Sequence, residues 1–415
     1  MKTVALDTLG CKLSFAETST FARRFREGGY LQVPGSEKAD IYVVNTCAVT
    51  EHAAKKGRNL IRKLHRLNPD ARIVVTGCYA QLNPGAVAEL EGVWAVVGSQ
   101  YKPQLYEIAT AAEPLDGRRI FVEPIAASTS YFPAYSSADR TRSFLKVQDG
   151  CDYHCAYCTV PLARGDSRNP SIETVVAQAR EIAAEGVKEV VITGVNTGDF
   201  GKSTGESFFD LLKALNDVEG IERYRISSIE PNLLTNEIID WISAGTKFVP
   251  HFHIPLQSGC DRILQQMGRR YTTAFFAEKI AYIRSRMDHV FLGIDVIVGF
   301  PGETDEDFQA TYSFLERLNP AFIHIFPYSR RADTPAAVMK GQVQECVKTK
   351  RVEALEELCR RCHSAFYEAN RGRRGTVLFE STDRNGMMSG YTSNYIRVER
   401  PYDETQAGRL VEVEI

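Results

Sequence analysis

The chain has 415 residues, 44% of them hydrophobic and 25% charged, with a formal net charge of −2. Such a balance excludes a disordered chain and offers no global basic excess, so any nucleic-acid surface must be local. No apolar run approaches the roughly 20 residues of a membrane span. The opening Met1-Lys2-Thr3-Val4-Ala5-Leu6 enters a strand directly, with no signal peptide. Ten cysteines in a chain of this character read as metal ligands or thiols of a cytoplasmic protein, not as a disulfide framework. The length predicts two or three domains.

Residues 1–123 alternate apolar strands with amphipathic helices. Strands are expected at Thr3–Thr8, Ile41–Asn45, Ile73–Thr76 and Trp94–Val97. Helices are expected at Phe15–Glu27, closed by Gly28-Gly29, at Glu51–Leu67, ended by Asn68-Pro69, and from about Pro84. This is the pattern of an α/β domain with a doubly wound parallel sheet. The first three strands each run into a cysteine: Leu9-Gly10-Cys11, Asn45-Thr46-Cys47 and Thr76-Gly77-Cys78. Ligands of open α/β sheets gather at the carboxyl ends of strands, so Cys11, Cys47 and Cys78 are expected to converge on a three-cysteine iron–sulfur cluster. The alternative is three buried, inert thiols. Lys55, Arg58, Arg62 and Arg66 recur on one face of the second helix, as an RNA-phosphate stripe or a solvated face. Residues 124–142, rich in Ala, Ser, Tyr and Pro, read as an interdomain linker.

The central domain, residues 143–340, starts with a strand at Phe144–Val147. That strand leads into Gly150-Cys151-Asp152-Tyr153-His154-Cys155-Ala156-Tyr157-Cys158-Thr159-Val160-Pro161. Three cysteines so closely spaced suit one inorganic cluster. With only three ligands, one iron of a 4Fe–4S cube stays open and can bind the amino and carboxylate groups of S-adenosylmethionine. Zinc, with His154 as fourth ligand, is the alternative. Further strands (Glu189–Thr193, Arg223–Ser227, His251–Leu256, Phe291–Val298, Ala321–Phe326) alternate with helices (Ser171–Glu185, Phe208–Val218, Asn236–Ser243, Thr273–Met287, Asp305–Leu318). Six such steps predict a partial, open (β/α)6 TIM-like barrel with its chemistry at the carboxyl ends of the strands. Among polar residues there, Glu230 is a candidate for ribose hydroxyls or a helix cap. Gln257 and Asp295 are candidates pointing inward, and Arg164 and Arg168 could meet a cofactor carboxylate or a nucleic-acid backbone. His251 and His253 are read as facing opposite sides of their strand, hence as no pair.

Residues 341–370 read as a connecting helix. Its Cys359-Arg360-Arg361-Cys362-His363 has the form of a c-type haem attachment pattern, rejected because it lies within a helix of a cytosolic chain; Cys260, Cys346, Cys359 and Cys362 are taken as ordinary thiols. Residues 371–415 open with Arg371-Gly372-Arg373-Arg374-Gly375 and form a β-rich tail. That tail carries seven basic and seven acidic residues, so its charge does not argue for RNA. Tyr391 and Tyr395 could stack on bases or serve as packing.

The cluster loop, with the aromatic Tyr157 before its last cysteine, matches the motif of the radical S-adenosylmethionine superfamily. Two tricysteine sets in this order resemble its methylthiotransferase family. Thr8-Leu9-Gly10-Cys11-Lys12, Asn45-Thr46-Cys47-Ala48-Val49-Thr50 and Thr76-Gly77-Cys78-Tyr79-Ala80-Gln81 resemble the branch acting on N6-threonylcarbamoyladenosine in tRNA. Family members commonly carry Asn where this chain has Ser14. The resemblance implies two 4Fe–4S clusters and S-adenosylmethionine, with Tyr157 close to that cofactor. It places Asn196 where the superfamily contacts the methionine amino group. The implied reaction is radical abstraction of the C2 hydrogen and methylthiolation of adenosine 37, using two S-adenosylmethionine molecules. The implied partners are that tRNA and a reductant such as flavodoxin or ferredoxin; no membrane is involved, and the protein is expected to be a monomer. The tail resembles the start of a TRAM domain, expected to be incomplete, with Arg373 and Arg374 joining Lys55, Arg58 and Arg62 as RNA contacts. Rival readings are the same chemistry on isopentenyladenosine tRNA or a ribosomal-protein aspartate, and a zinc-bearing RNA-binding protein.

Overall fold

The computed structural model describes residues 1–48, 50–127, 130–136 and 141–415. Val49 of the second cysteine motif and residues 128–129 and 137–140 of the expected linker lie outside the described residues.

The N-terminal sheet has six strands: β1 (Thr3–Thr8), β2 (Leu31–Gln32), β3 (Ile41–Thr46), β4 (Arg72–Gly77), β5 (Val93–Val97) and β6 (Ile120–Phe121). They pair in the order β2-β1-β3-β4-β5-β6, all parallel. Alternate side chains enter two cores. Val43 and Val74 meet Phe21 and Phe25 of the helix Lys12–Glu27 on one face, and Val44 and Val75 meet Ile61 and Leu64 of the helix Glu51–Leu67 on the other. A strand covered on both sides must be apolar throughout, as Ile41-Tyr42-Val43-Val44 and Ile73-Val74-Val75 are. The edge strands β2 and β6 span two residues each, too few for a periodic signal.

The central region contains β7 (Arg142–Lys146), β8 (Glu189–Thr193), β9 (Arg223–Ile226), β10 (His251–Gln257), β11 (Phe291–Val298) and β12 (Phe322–Pro327). They form two three-stranded parallel sheets, β7-β8-β9 and β10-β11-β12. Parallel bridges Tyr224↔Phe248 and Ser228↔His253 join the sheets into one arc. Ile192, Ile226, Ile254 and Ile294 pack into the core shared with the surrounding helices. By strand alternation, Glu189, Arg225, His253 and Asp295 line the inner side.

The expected linker is not free chain where it is described. Tyr135 bridges Leu145 antiparallel, Ser136 donates its N–H to Phe144, and Ala134 accepts from Lys146 N–H. Its aromatic and small residues serve as a docked edge on β7.

The helix Glu345–Glu368 buries Leu355, Leu358, Cys359 and Cys362, and Cys359 Sγ accepts from Ile323 N–H at 3.3 Å. Then come β13 (Arg374–Phe379), β14 (Met387–Thr392), β15 (Arg397–Pro401) and β16 (Leu410–Glu414), an antiparallel sheet in the order β15-β14-β13-β16. It docks at the amino ends of the arc's strands. Arg223 donates to the carbonyls of Thr376 (3.2 Å) and Tyr391 (2.9 Å), and Arg225 to those of Thr392 (2.6 Å) and Ser393 (2.8 Å). The Tyr395 ring lies 4.8 Å from His251 and 5.4 Å from Phe291, and Tyr391 stacks on Tyr395 at 4.7 Å. Both tyrosines are therefore packing residues. Tyr395→Ala is expected to destabilise the protein by about 2 kcal/mol or more, measured by urea unfolding.

Candidate active site

The cysteine loop follows β7 at the carboxyl end of the arc. Gly150 starts it at φ +73°, and a Cβ there would lie 1.9 Å from the Asp166 carbonyl oxygen, so only glycine fits. Cys151 N–H donates to Gly165 O (3.0 Å) and Ala156 N–H to Met267 O (2.9 Å), fixing the loop at both ends. Each sulfur receives a donor: Tyr153 N–H to Cys151 (3.4 Å), Val160 N–H to Cys158 (3.4 Å) and Arg269 Nη1 to Cys155 (3.1 Å). Burial pushes the Cys151 and Cys158 thiols up to about 12, so at neutral pH they become thiolates only with a cation bound. Sulfurs met by N–H donors fit an iron–sulfur cluster. His154 is exposed.

Cys11, Cys47 and Cys78 stand just past the carboxyl ends of β1, β3 and β4, three adjacent strands. Strands lie about 4.8 Å apart, so the three positions fall within one cluster's reach. Gly77 has φ +94°, and a Cβ there would meet the Thr46 carbonyl oxygen at 2.2 Å. Ser14 Oγ lies 3.8 Å from Cys11 Sγ. Cys78 is close enough to Cys158 for its charge to act on that thiol, and Arg164 is under the influence of both Cys11 and Cys78. The two cysteine sets thus border one space, between the sheet's carboxyl edge and the arc.

A buried ion network holds this arrangement. Glu17 pairs with Lys102 (2.7 Å), Lys146 (3.0 Å) and Arg164 (3.2 Å), and Asp149 with Lys146 (2.7 Å), Arg164 (2.8 Å) and Arg168 (3.6 Å). Burial alone would raise both carboxyls; the surrounding cations hold them well below the usual range. Four cations against two carboxylates leave an excess of positive charge beside the cysteines. Arg164 accordingly takes a different place from the one expected of it. Its guanidinium is held by Glu17 and Asp149, and Arg168 likewise bonds Asp149 and the Ser130 carbonyl. Proximity in sequence to the loop put them near the site, but their partners are structural.

The other candidates line the same end of the arc. Tyr157 packs edge-on against Phe300 at 6.4 Å. Asn196 is buried, donates through Nδ2 to Asp199 (2.9 Å), and leaves Oδ1 without a partner among the described residues. An orphaned acceptor beside the loop suits an ammonium group. Glu230 is bound by Arg269. Gln257 sits in a bulge at the end of β10 with φ +70°, a strained backbone that re-aims its side chain. His251 and His253 correct the expectation of opposite faces. Residues two apart in a strand share a face, and both point inward, His251 onto Phe291 and His253 onto Asp295. Lys55, Arg62 and Arg66 are exposed, whereas Arg58 binds Glu51 (2.8 Å) and the Tyr79 hydroxyl (3.0 Å). Arg374 pairs with Glu412 at 3.3 Å, and Arg373 meets His289 at 2.6 Å.

Sequence reasoning missed Arg269 and Glu17. Glu17 had a signal: it falls among Leu13, Ala16 and Phe21 on the apolar side of its helix, where a charge needs partners. Arg269 had none beyond its place after a short helix. Arg269→Met removes a charge-assisted donor from Cys155 and is expected to lower the potential of a cluster bound there by on the order of 50 mV. A redox titration followed by electron paramagnetic resonance measures it.

A cysteine loop of this construction at the carboxyl end of a parallel arc defines a radical S-adenosylmethionine protein. Residues 145–315 match the Radical SAM superfamily, and residues 3–98 match Uncharacterized protein family UPF0004. Threonylcarbamoyladenosine tRNA methylthiotransferase MtaB of Bacillus subtilis is 39% identical, over 100% of this chain and 94% of that one. The tRNA-2-methylthio-N(6)-dimethylallyladenosine synthase of Jannaschia sp. is 34% identical, over 100% and 91%. Among solved structures, the radical S-adenosylmethionine methyltransferase TsrM of Kitasatospora setae aligns with a TM-score of 0.58 at 17% identity, covering 81% of this chain and 77% of that one, a likeness of fold alone. The chain belongs to the radical S-adenosylmethionine methylthiotransferase family, in its threonylcarbamoyladenosine tRNA methylthiotransferase branch. It is an enzyme of tRNA methylthiolation, and a 4Fe–4S cluster and S-adenosylmethionine are its family's cofactors. Among the described residues, no helix is long and apolar enough to cross a membrane.

Proposed function

We propose that this enzyme converts N6-threonylcarbamoyladenosine at position 37 of tRNA to its 2-methylthio derivative, using two S-adenosylmethionine molecules. The observation that carries the reading is the meeting of two cysteine sets at one space, one from each domain. Cys151, Cys155 and Cys158 hold the cluster that binds S-adenosylmethionine; Cys11, Cys47 and Cys78 hold a second 4Fe–4S cluster. Bound there, these groups supply one-electron cleavage of the cofactor, removal of the C2 hydrogen and a sulfur to be methylated. C2 carries no acidic proton, so a general base could not replace that chemistry.

The chain's own residues position these groups. Arg269 and the Tyr153 and Val160 amides donate to the sulfurs of the first site. Asn196, whose Oδ1 has no partner among the described residues, would hold the methionine ammonium, and Tyr157, Gln257 and Glu230 would hold the rest of the cofactor. Lys55, Arg62, Arg373 and Arg374 contact tRNA phosphates, Arg58 contributing from its pair with Glu51. We read the arc as a partial (β/α)6 barrel and the antiparallel tail as a TRAM-like module. The setting is cytoplasmic, with a monomer fed electrons by a flavodoxin or ferredoxin.

Anaerobic reconstitution with iron and sulfide is expected to give two cubes per chain; one cube would overturn the second site. Nucleoside analysis of tRNA from a deletion strain is expected to lose 2-methylthio-N6-threonylcarbamoyladenosine alone. Loss of the isopentenyl species instead would reassign the substrate, and unchanged tRNA would turn attention to ribosomal protein.

A further inference from the structure

Lys12 follows directly on Cys11, at the sheet edge that borders the arc. It is solvent-accessible yet enclosed, within the electrostatic influence of Asp295, Arg225, Arg142 and His324. Arg225 is committed to Glu189 and the tail carbonyls, and Arg142 to Glu189 and Glu380. No carboxylate among the described residues lies within ion-pairing distance of Lys12 itself. On the adjacent inner strands β10, β11 and β12 stand His253, Asp295 and His324, the last two within electrostatic reach of Lys12. His253 Nε2 and Asp295 Oδ1 are 2.5 Å apart, the two imidazole rings are 4.8 Å apart, and one ligand atom of each of the three residues lies within 4.8 Å of the others. The three strands fix the group, since Asp295 is paired directly with His324 in register.

This is a built polar recess on the same side of the arc as the cysteines, with a cation lacking its anion. An enclosed ammonium and an imidazole–carboxylate pair are costly to cover with hydrocarbon. They are satisfied by a ligand bearing a carboxylate together with hydroxyl and N–H groups. An N6-threonylcarbamoyl group carries all three; an isopentenyl group carries none. We propose that Lys12, His253, Asp295 and His324 form the subsite for the anionic side chain of the substrate nucleoside. Lys12 takes the carboxylate, and the His253–Asp295 pair with His324 takes the hydroxyl and urea N–H groups. Asp295, the one anion of the set, is hydrogen-bonded to His253 through Oδ1 and keeps its other oxygen to accept hydrogen bonds from the ligand's hydroxyl and N–H groups. The inference rests on the substrate reading above and adds the residues that enforce it.

The test uses the full-length, reconstituted protein and three anticodon stem-loop RNAs. Adenosine 37 carries the threonylcarbamoyl acid, its neutral methyl ester, or no modification, and binding is read by fluorescence anisotropy. Wild-type protein is expected to prefer the acid over the ester by about 10- to 100-fold, the range of one charge-assisted contact. Lys12→Met should bring that ratio close to one and leave ester binding in place, and Lys12→Arg should restore the ratio. Because Lys12 adjoins Cys11, iron content is measured on each variant. His324→Leu, on β12 and not adjacent in sequence to any of the six cysteines, provides an independent arm, with iron content measured as well. It should reduce the preference for threonylcarbamoyl over glycylcarbamoyl adenosine, which lacks the hydroxyethyl group. A ratio unchanged in Lys12→Met, or equal losses for acid and ester, would overturn the subsite. Failure of the wild-type protein to prefer the acid over unmodified RNA would instead overturn the substrate reading.

Discussion

With Cys11, Cys47 and Cys78 all changed to alanine, the enzyme is expected to make no detectable methylthiolated nucleoside while still cleaving S-adenosylmethionine to 5′-deoxyadenosine. The two cysteine sets belong to different strands of different sheets, so one can be emptied without unmaking the other. Loss of product should be at least about 100-fold, since even outer-shell substitutions at metal sites reach that figure. The matching triple change at Cys151, Cys155 and Cys158 should abolish both product and cofactor cleavage. Liquid chromatography of both products in a single-turnover reaction separates the outcomes. If the first variant still methylthiolates tRNA, the sulfur does not come through the N-terminal cysteines.

Glu17→Ala is expected to cost about 3–5 kcal/mol of stability, the range for breaking a buried ion pair by removing one partner. Glu17 is fully buried, and its loss leaves Lys102, Lys146, Arg164 and Arg168 with Asp149 alone. Urea unfolding measures the loss. Replacing Glu17 and Lys102 together by Leu and Met should recover part of it, because an apolar pair needs no counter-charge. The pH dependence follows from the sign of the shifts. The folded state holds the Glu17 and Asp149 carboxyls below their ordinary values, so their contribution is complete above about pH 4.3 and fades only as pH falls towards the folded values. The stability advantage of wild type over Glu17→Ala should therefore be constant from neutral pH down to about pH 4.3 and narrow in stronger acid.

Much of the fold could be read from the residues. The central strands of the first domain are buried on both faces, and a run such as Ile73-Val74-Val75 has few other uses. The cysteines were legible for a related reason: each ends a strand, and parallel strands bring their ends together. What escaped was set by contacts distant in sequence. Strands of two residues carry no period. Arg164 was drawn towards the cofactor by its nearness to the loop, whereas the structure gives it partners 147 and 15 residues away. Residues 130–136 had the composition of a spacer and became a sheet edge. Lys12 and Glu17 lie on one helix and differ in what faces them from residues far along the chain, which no local pattern encodes.

Part of the tail's seat is made through its main chain, beside the Tyr395 packing. Arg223 and Arg225 reach four peptide carbonyls, those of Thr376, Tyr391, Thr392 and Ser393, and a peptide carbonyl is the same whatever residue bears it. Anchorage of this sort is blind to side-chain identity. The residues at those four positions are thereby released to drift without loosening these bonds to the enzyme.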